Sequence, residues 1–190
     1  MSRSRIDRGL DDLIRVAQAT KALSDRVSAL AGRYAGVLRK GGTLFFCGNG
    51  GSAADAQHLA AEYVVRYAAD RRPLAAVALT TDSSILTASG NDLGFEQIFA
   101  RQVEALCRPS DLLILHSTSG QSPNLLAAAR VARQQGVPTV AFLGKGGGAL
   151  AALVGEALII PSDQTSQVQL MHMALQHLIV ELVESELVGA

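Results

Sequence analysis

Four groups of residues in this 190-residue chain have the types and spacings from which chemistry can be built. The first is Gly48-Asn49-Gly50-Gly51-Ser52, which runs directly into helical periodicity from Ala53. Glycines let a backbone approach a ligand closely, and the unpaired N–H groups at a helix start attract negative charge, so this turn reads as an anion site. The second, Ser117-Thr118-Ser119-Gly120-Gln121-Ser122, sets four hydroxyls ahead of Pro123. One serine is enough to cap the helix that follows. Four hydroxyls without a lysine suit a single phosphate monoester better than a triphosphate, for which Gly-Lys-Ser is expected. The third is His58 with Glu62, at i,i+4 on a helix face shared with Asp55 and Arg66. On an ordinary surface helix such a pair is merely solvated. Just after an anion loop, the imidazole and carboxylate can share a proton, a metal ion or a substrate. The fourth is Gln169, His172, Gln176 and His177, polar groups in an otherwise apolar terminal segment, each of which must find a buried partner or a ligand.

These residues need a scaffold, and the hydrophobic pattern specifies one. Short apolar runs at 43–47, 75–79, 112–116, 138–143 and 157–160 alternate with helix-length segments. Such runs predict five buried strands in a parallel α/β sheet with helices on both faces. Ligands bind such sheets beyond the carboxyl ends of the strands, where the strand order reverses. The glycine turn follows the first strand and the hydroxyl loop the third; His116 ends that third strand and reads as a packing residue. Between strands, a helix from Ala53 to Tyr67 has Ala56, Leu59, Ala60, Tyr63, Val64 and Tyr67 on its apolar face. Another begins at the Ser122-Pro123 cap and ends at Gly136. The first 40 residues carry two helical stripes, Ile6, Leu10, Leu13, Ile14, Ala17 and then Leu23, Val27, Leu30, Tyr34, Val37, stopped by Gly41-Gly42. The terminal helix, from Gln164 to Leu187, is apolar on most sides and predicts packing on a neighbouring subunit as well as on its own sheet. Gly48, Gly50 and Ala53 also match G-x-G-x-x-A, but Asp82 stands too far on for the ribose-binding acid, which disfavours a dinucleotide.

Composition narrows the partners. Seventeen Lys+Arg balance seventeen Asp+Glu, which argues against nucleic acid. The charged fraction is 18%, against about 25% in a typical domain, while 48% is hydrophobic; one small domain struggles to bury that much, so a closed homo-oligomer is expected. No run suits a membrane span, and the first residues lack the apolar core of a secretory signal, so the expectation is a cytoplasmic protein with no membrane partner. Cys47 and Cys107 then read as reduced, inert packing residues.

With these residues in view, the chain resembles the phosphoheptose (sedoheptulose 7-phosphate) isomerases, which are SIS, or sugar-isomerase, domain proteins. The resemblance rests on the stretch from Gly48 to His58, on Gly90-Asn91-Asp92-Leu93-Gly94-Phe95, on Ser117-Thr118-Ser119-Gly120 and on the helix carrying Gln169 and His177. It runs over nearly the whole chain. It implies a flavodoxin-like doubly wound fold as a single domain over 1–190, with 1–40 a helical extension packing on that domain and on neighbouring subunits of a homotetramer. It also implies conversion of sedoheptulose 7-phosphate to D-glycero-D-manno-heptose 7-phosphate through an enediol, with Glu62 matching the general base and His177 its acid/base partner. Phosphate and sugar would be held by Ser117, Thr118, Ser119, Ser122, Asn49, Gly50, Gly51 and Ser52, with Arg66, Asn91, Asp92 and Gln169 lining the site. Zinc, as a Lewis acid toward the enediolate, would take His58, Glu62, Gln169 and His177. Ala61, His116 and Leu170 depart from the family pattern, which favours Glu, a small or aliphatic residue, and Glu. Two other readings share the scaffold: a non-catalytic SIS tetramer of the replication-initiator-associating type, and an isomerase of another ketose phosphate. The regulator lacks a carboxylate matching Glu62, so the presence of Glu62 and His177 favours an enzyme.

Overall fold

The computed structural model describes residues 2–188. Five parallel strands, β1 (Leu44–Gly48), β2 (Ala76–Ala78), β3 (Leu112–Ser117), β4 (Thr139–Leu143) and β5 (Glu156–Ile159), form one sheet in the order β2-β1-β3-β4-β5. This is the flavodoxin-like doubly wound order, and its reversal lies between β1 and β3, where Gly48 pairs with His116. The glycine turn and the hydroxyl loop therefore leave the sheet side by side at the switch point.

Alternation along the strands sorts the core into two layers. Leu44, Phe46, Leu112, Ile114, Val140 and Phe142 face α2 (Ser24–Arg39), α3 (Gly51–Val64) and α7 (Thr165–Val188). Phe45, Cys47, Leu113, Leu115, Ala141 and Leu143 face α5 (Ala100–Leu106) and α6 (Pro123–Gln134). α1 (Ser2–Thr20) precedes α2, and α4 (Ser83–Asp92) follows β2. The helices α4 and α5 were not legible in the apolar pattern. Asp82 is the N-cap of α4, its carboxylate accepting the Ile85 N–H at 2.9 Å, which gives that residue a structural role. Cys47 and Cys107 are free and buried; burial pushes the Cys107 thiol up to about 12 and the Cys47 thiol higher still, so both are inert.

Two expectations are corrected. The helix predicted to reach Tyr67 stops at Val64. Beyond it the N–H groups of Tyr67, Ala68 and Ala69 donate to the carboxylate of Glu184, while Arg71 donates to the carbonyls of Glu62 and Tyr63; a distant carboxylate and a guanidinium have replaced the last helical turn. Val64 consequently leaves the apolar face and is exposed. On α1, Leu13 and Ala17 pack against the core while Ile6, Leu10 and Ile14 are exposed.

The hydroxyl loop is seated on backbone. A Cβ at Gly120, where φ is +63°, would lie 1.9 Å from the Gly147 carbonyl oxygen. Gly120→Ala is therefore expected to lose about 1–3 kcal/mol from the left-handed backbone alone, with the clash added to it. Urea denaturation of the variant beside the parent measures this, and an unchanged midpoint contradicts the contact.

Candidate active site

The glycine turn and the hydroxyl loop are each held by internal hydrogen bonds. Gly50, with φ +57° and ψ −120°, makes a turn open to glycine, and the Asn49 carbonyl accepts the N–H of Ser52, which is buried. Across the switch point, Asn49 and Asn124 exchange amide hydrogen bonds at 2.9 and 2.8 Å, tying the glycine turn to the start of α6. In the hydroxyl loop, Ser117 Oγ accepts the Gly120 N–H and Ser119 Oγ that of Gln121. Ser122 occupies the N-cap position of α6 but its hydroxyl makes no capping bond. Two of the four hydroxyls thus shape the turn, while Thr118, Ser119 and Ser122 stay partly open.

From the glycine turn, α3 and α7 run in the same direction, meeting at three levels. At the first, the Gln169 amide packs on Gly51, its Nε2 2.4 Å from where a Cβ would stand, so a side chain there would have to displace the glutamine. At the second, His58 Nε2 lies 3.1 Å from Glu62 Oε1 and 3.0 Å from His177 Nε2, and Tyr67 packs its ring 5.5 Å from that of His177. At the third, Glu184 meets Arg71 at 2.7 Å. The second level brings together residues 119 apart in sequence.

The donor atoms of His58, Glu62 and His177 all lie within 4.8 Å of one another. Two imidazole nitrogens and one carboxylate oxygen form a donor set that zinc accepts, with ligand atoms about 3.4 Å apart in a tetrahedron and a fourth position left over. The residues therefore fit a metal. Gln169, eight residues from His177 and about 12 Å along the helix, rests at the first level against Gly51. Asp55, one turn before His58, is half-buried; burial pushes its carboxyl up to about 6, the His58 imidazole offsetting only part of that. Neither Asp55 nor Asn124 was singled out as a site residue from sequence, and Tyr67 was read only as packing. Asp55 was recognisable only by its i,i+3 spacing to His58.

Other predicted site residues are less engaged. Arg66 is exposed beyond the early end of α3, which removes its helical spacing to Glu62. Asn91 and Asp92 sit exposed at the end of α4, the amide of Asn91 donating to Asp92. His116 faces away from the loops. Wholly buried between Phe46 and Phe142, it contacts Gln176 at 3.0 Å, and Gln176 in turn reaches Tyr34 Oη. His172 packs beside it, with ring centroids 5.9 Å apart. Of the four polar residues on α7, His172 and Gln176 are thus confined to the core, where only the Gln176 amide nitrogen finds hydrogen-bond partners, leaving Gln169 and His177 toward α3.

A doubly wound sheet with a glycine turn and a hydroxyl loop at its switch point, flanked by a carboxylate and imidazoles, is the arrangement of an SIS domain protein, and residues 10–144 match the SIS domain family. The chain is 53% identical over 167 residues to the phosphoheptose isomerase of Solidesulfovibrio magneticus, covering 88% of this chain and 81% of that one. It superposes on the phosphoheptose isomerase GmhA from Neisseria gonorrhoeae with a TM-score of 0.92 at 38% identity, covering 97% and 100% of the two chains. On a phosphoheptose isomerase from Francisella tularensis the TM-score is 0.94 at 33% identity, covering 97% and 99%. The chain belongs to the phosphoheptose isomerase family, and it is an isomerase.

The buried histidines make stability depend on pH. Burial holds His172 at about 4 and His116 well below its ordinary value of 6.5, so both are neutral in the fold. Between the folded and unfolded values the unfolded chain binds more protons. Stability from these groups is therefore complete above about pH 6.5 and is lost as pH falls toward 4, by up to about 1.4 kcal/mol per pH unit for each histidine. Replacing His116 and Gln176 together by leucine is expected to flatten that slope, measured by urea denaturation at fixed protein concentration from pH 7 to 5; an unaltered slope contradicts a neutral buried His116.

Proposed function

We propose that this isomerase interconverts sedoheptulose 7-phosphate and D-glycero-D-manno-heptose 7-phosphate at the group formed by His58, Glu62 and His177. The observation that carries the reading is the meeting of Glu62 and His177 around His58, on helices that start or pass beside the glycine turn. The phosphate is held by Ser117, Thr118, Ser119 and Ser122 with the N-terminus of α6, and the sugar lies toward Asn49, Gly50, Gly51 and Ser52, with Arg66, Asn91, Asp92 and Gln169 at its edges. Moving the carbonyl from C2 to C1 requires removal of a proton from C1, passage through an enediol, and return of a proton at C2. Glu62 takes the C1 proton, and His177 moves the hydroxyl protons. His58, Glu62 and His177, with Gln169 as a fourth candidate, would hold zinc, which when bound would supply Lewis-acid stabilisation of negative charge on the substrate oxygens.

The assembly proposed is a cytoplasmic homotetramer whose subunits are each one SIS domain. Exposed Ile6, Leu10 and Ile14 on α1, with Leu170, Leu178 and Leu182 on α7, support apolar contact between copies. Among the described residues no helix is long and apolar enough to cross a membrane.

Incubation with sedoheptulose 7-phosphate, monitored for an aldose phosphate, tests the activity; no turnover with or without zinc overturns it, and a panel of ketose phosphates ranked by kcat/KM tests the substrate. Glu62→Gln is expected to lower kcat by at least about 100-fold while phosphosugar binding persists, and a near-normal rate rejects its role as base. Ser119→Ala, which removes one loop acceptor and one open hydroxyl, should chiefly raise KM; an unchanged KM counts against the phosphate site.

A further inference from the structure

The third level at which α7 meets the chain after α3 is the most heavily hydrogen-bonded polar cluster outside the proposed catalytic group. Glu184 Oε1 accepts from Arg71 Nε at 2.7 Å and from the Tyr67 N–H at 3.0 Å; Oε2 accepts from the N–H groups of Ala68 and Ala69 at 3.0 and 2.9 Å. Arg71 spends its remaining donors on the carbonyls of Tyr63 at 2.8 Å, Glu62 at 2.7 Å and Arg72 at 3.2 Å. The side chains are 5% and 2% exposed. Burial alone would raise the Glu184 carboxyl, but the backbone N–H groups and Arg71 outweigh it and hold it below its ordinary value.

A buried, fully hydrogen-bonded ion pair is weak evidence for net stability, since two well-packed apolar residues serve as well or better. What this one does is geometric. Glu184 is seven residues, close to two helical turns, beyond His177 and so projects from the same side of α7. Arg71 donates directly to the backbone of Glu62, and the segment Glu184 captures carries Tyr67, whose ring packs on His177. The cluster thus grips Glu62 from behind and His177 from along its own helix, and it replaces the turn that would otherwise have continued α3.

We infer that Arg71 and Glu184 are positioning residues for the isomerisation: their pairing sets the separation and alignment of Glu62 with His58 and His177. The inference rests on the reading of Glu62 and His177 as the reacting pair. It separates positioning from phosphate capture, because the hydroxyl loop contributes nothing to the cluster and the cluster nothing to that loop.

The test uses the full chain. Glu184→Gln keeps shape but turns a donor toward donors. It is expected to lower kcat by at least about tenfold with KM altered less than about threefold, while circular dichroism and oligomeric state match the parent. Arg71→Lys, which keeps charge but loses the fork to two carbonyls, should behave in the same way and stands in if Glu184→Gln does not fold. Arg71→Ala should regain part of its kcat when guanidinium is added at millimolar concentration, well below denaturing levels. A folded Glu184→Gln or Arg71→Lys with parental kcat overturns the inference, as does a fall in kcat matched by a rise in KM without guanidinium rescue, which is general loosening. Glu62→Gln run in parallel separates the two claims. If it is inactive while the clamp variants are normal, only the positioning role falls; if it remains active, the reading of Glu62 as base falls.

Discussion

The side-by-side packing of α3 and α7 is the constraint on which the site depends. Each helix alone offers only unremarkable surface groups: a histidine and a glutamate at i,i+4 on one, a histidine among leucines on the other. Laid parallel on one face of the sheet, they bring His58, Glu62 and His177 within reach of one another. The sheet determines where α3 begins, because the helix starts at the turn leaving β1. The core determines where α7 lies, through Val168, Met171, Leu175, Ile179, Val180 and Val183.

That arrangement divides the polar residues of α7 by depth. His172 and Gln176 turn inward to His116 and Tyr34, where burial keeps the histidines neutral. Gln169, His177 and Glu184 turn toward α3 and the chain that follows it. His116, which ends its strand next to the hydroxyl loop, belongs with the first set: alternation along β3 points it at α7, and Gln176 provides the polar partner that a buried imidazole needs. A departure from the expected family pattern next to the hydroxyl loop is thereby accommodated inside the core.

Much of this was legible in the sequence. The strands were marked by apolar runs, the turns after β1 and β3 by glycine and hydroxyl content, and the ends of α6 by Ser122-Pro123 and Gly136, all of them local signals. The early end of α3 was hidden because its cause, Glu184, lies more than a hundred residues away in sequence. The Asn49–Asn124 exchange was hidden for the same reason, since neither asparagine indicates by itself which loop it faces. The α1 stripe had the right periodicity, yet periodicity says only that a face seeks cover and not that its own subunit supplies it.

The levels on α7 occur at Gln169, His177 and Glu184, eight and seven residues apart, or about 2.2 and 1.9 helical turns. One residue inserted or deleted between them would rotate everything downstream by about 100°, sending Glu184 toward solvent or the wrong neighbour. The segment from 66 to 75, which lies between α3 and β2, has no such periodic phase to keep, although Arg71 must still reach Glu184. Length variation should therefore be far better tolerated in connections of that kind than in the middle of the terminal helix, whose residue count is as much a part of the site as its histidines.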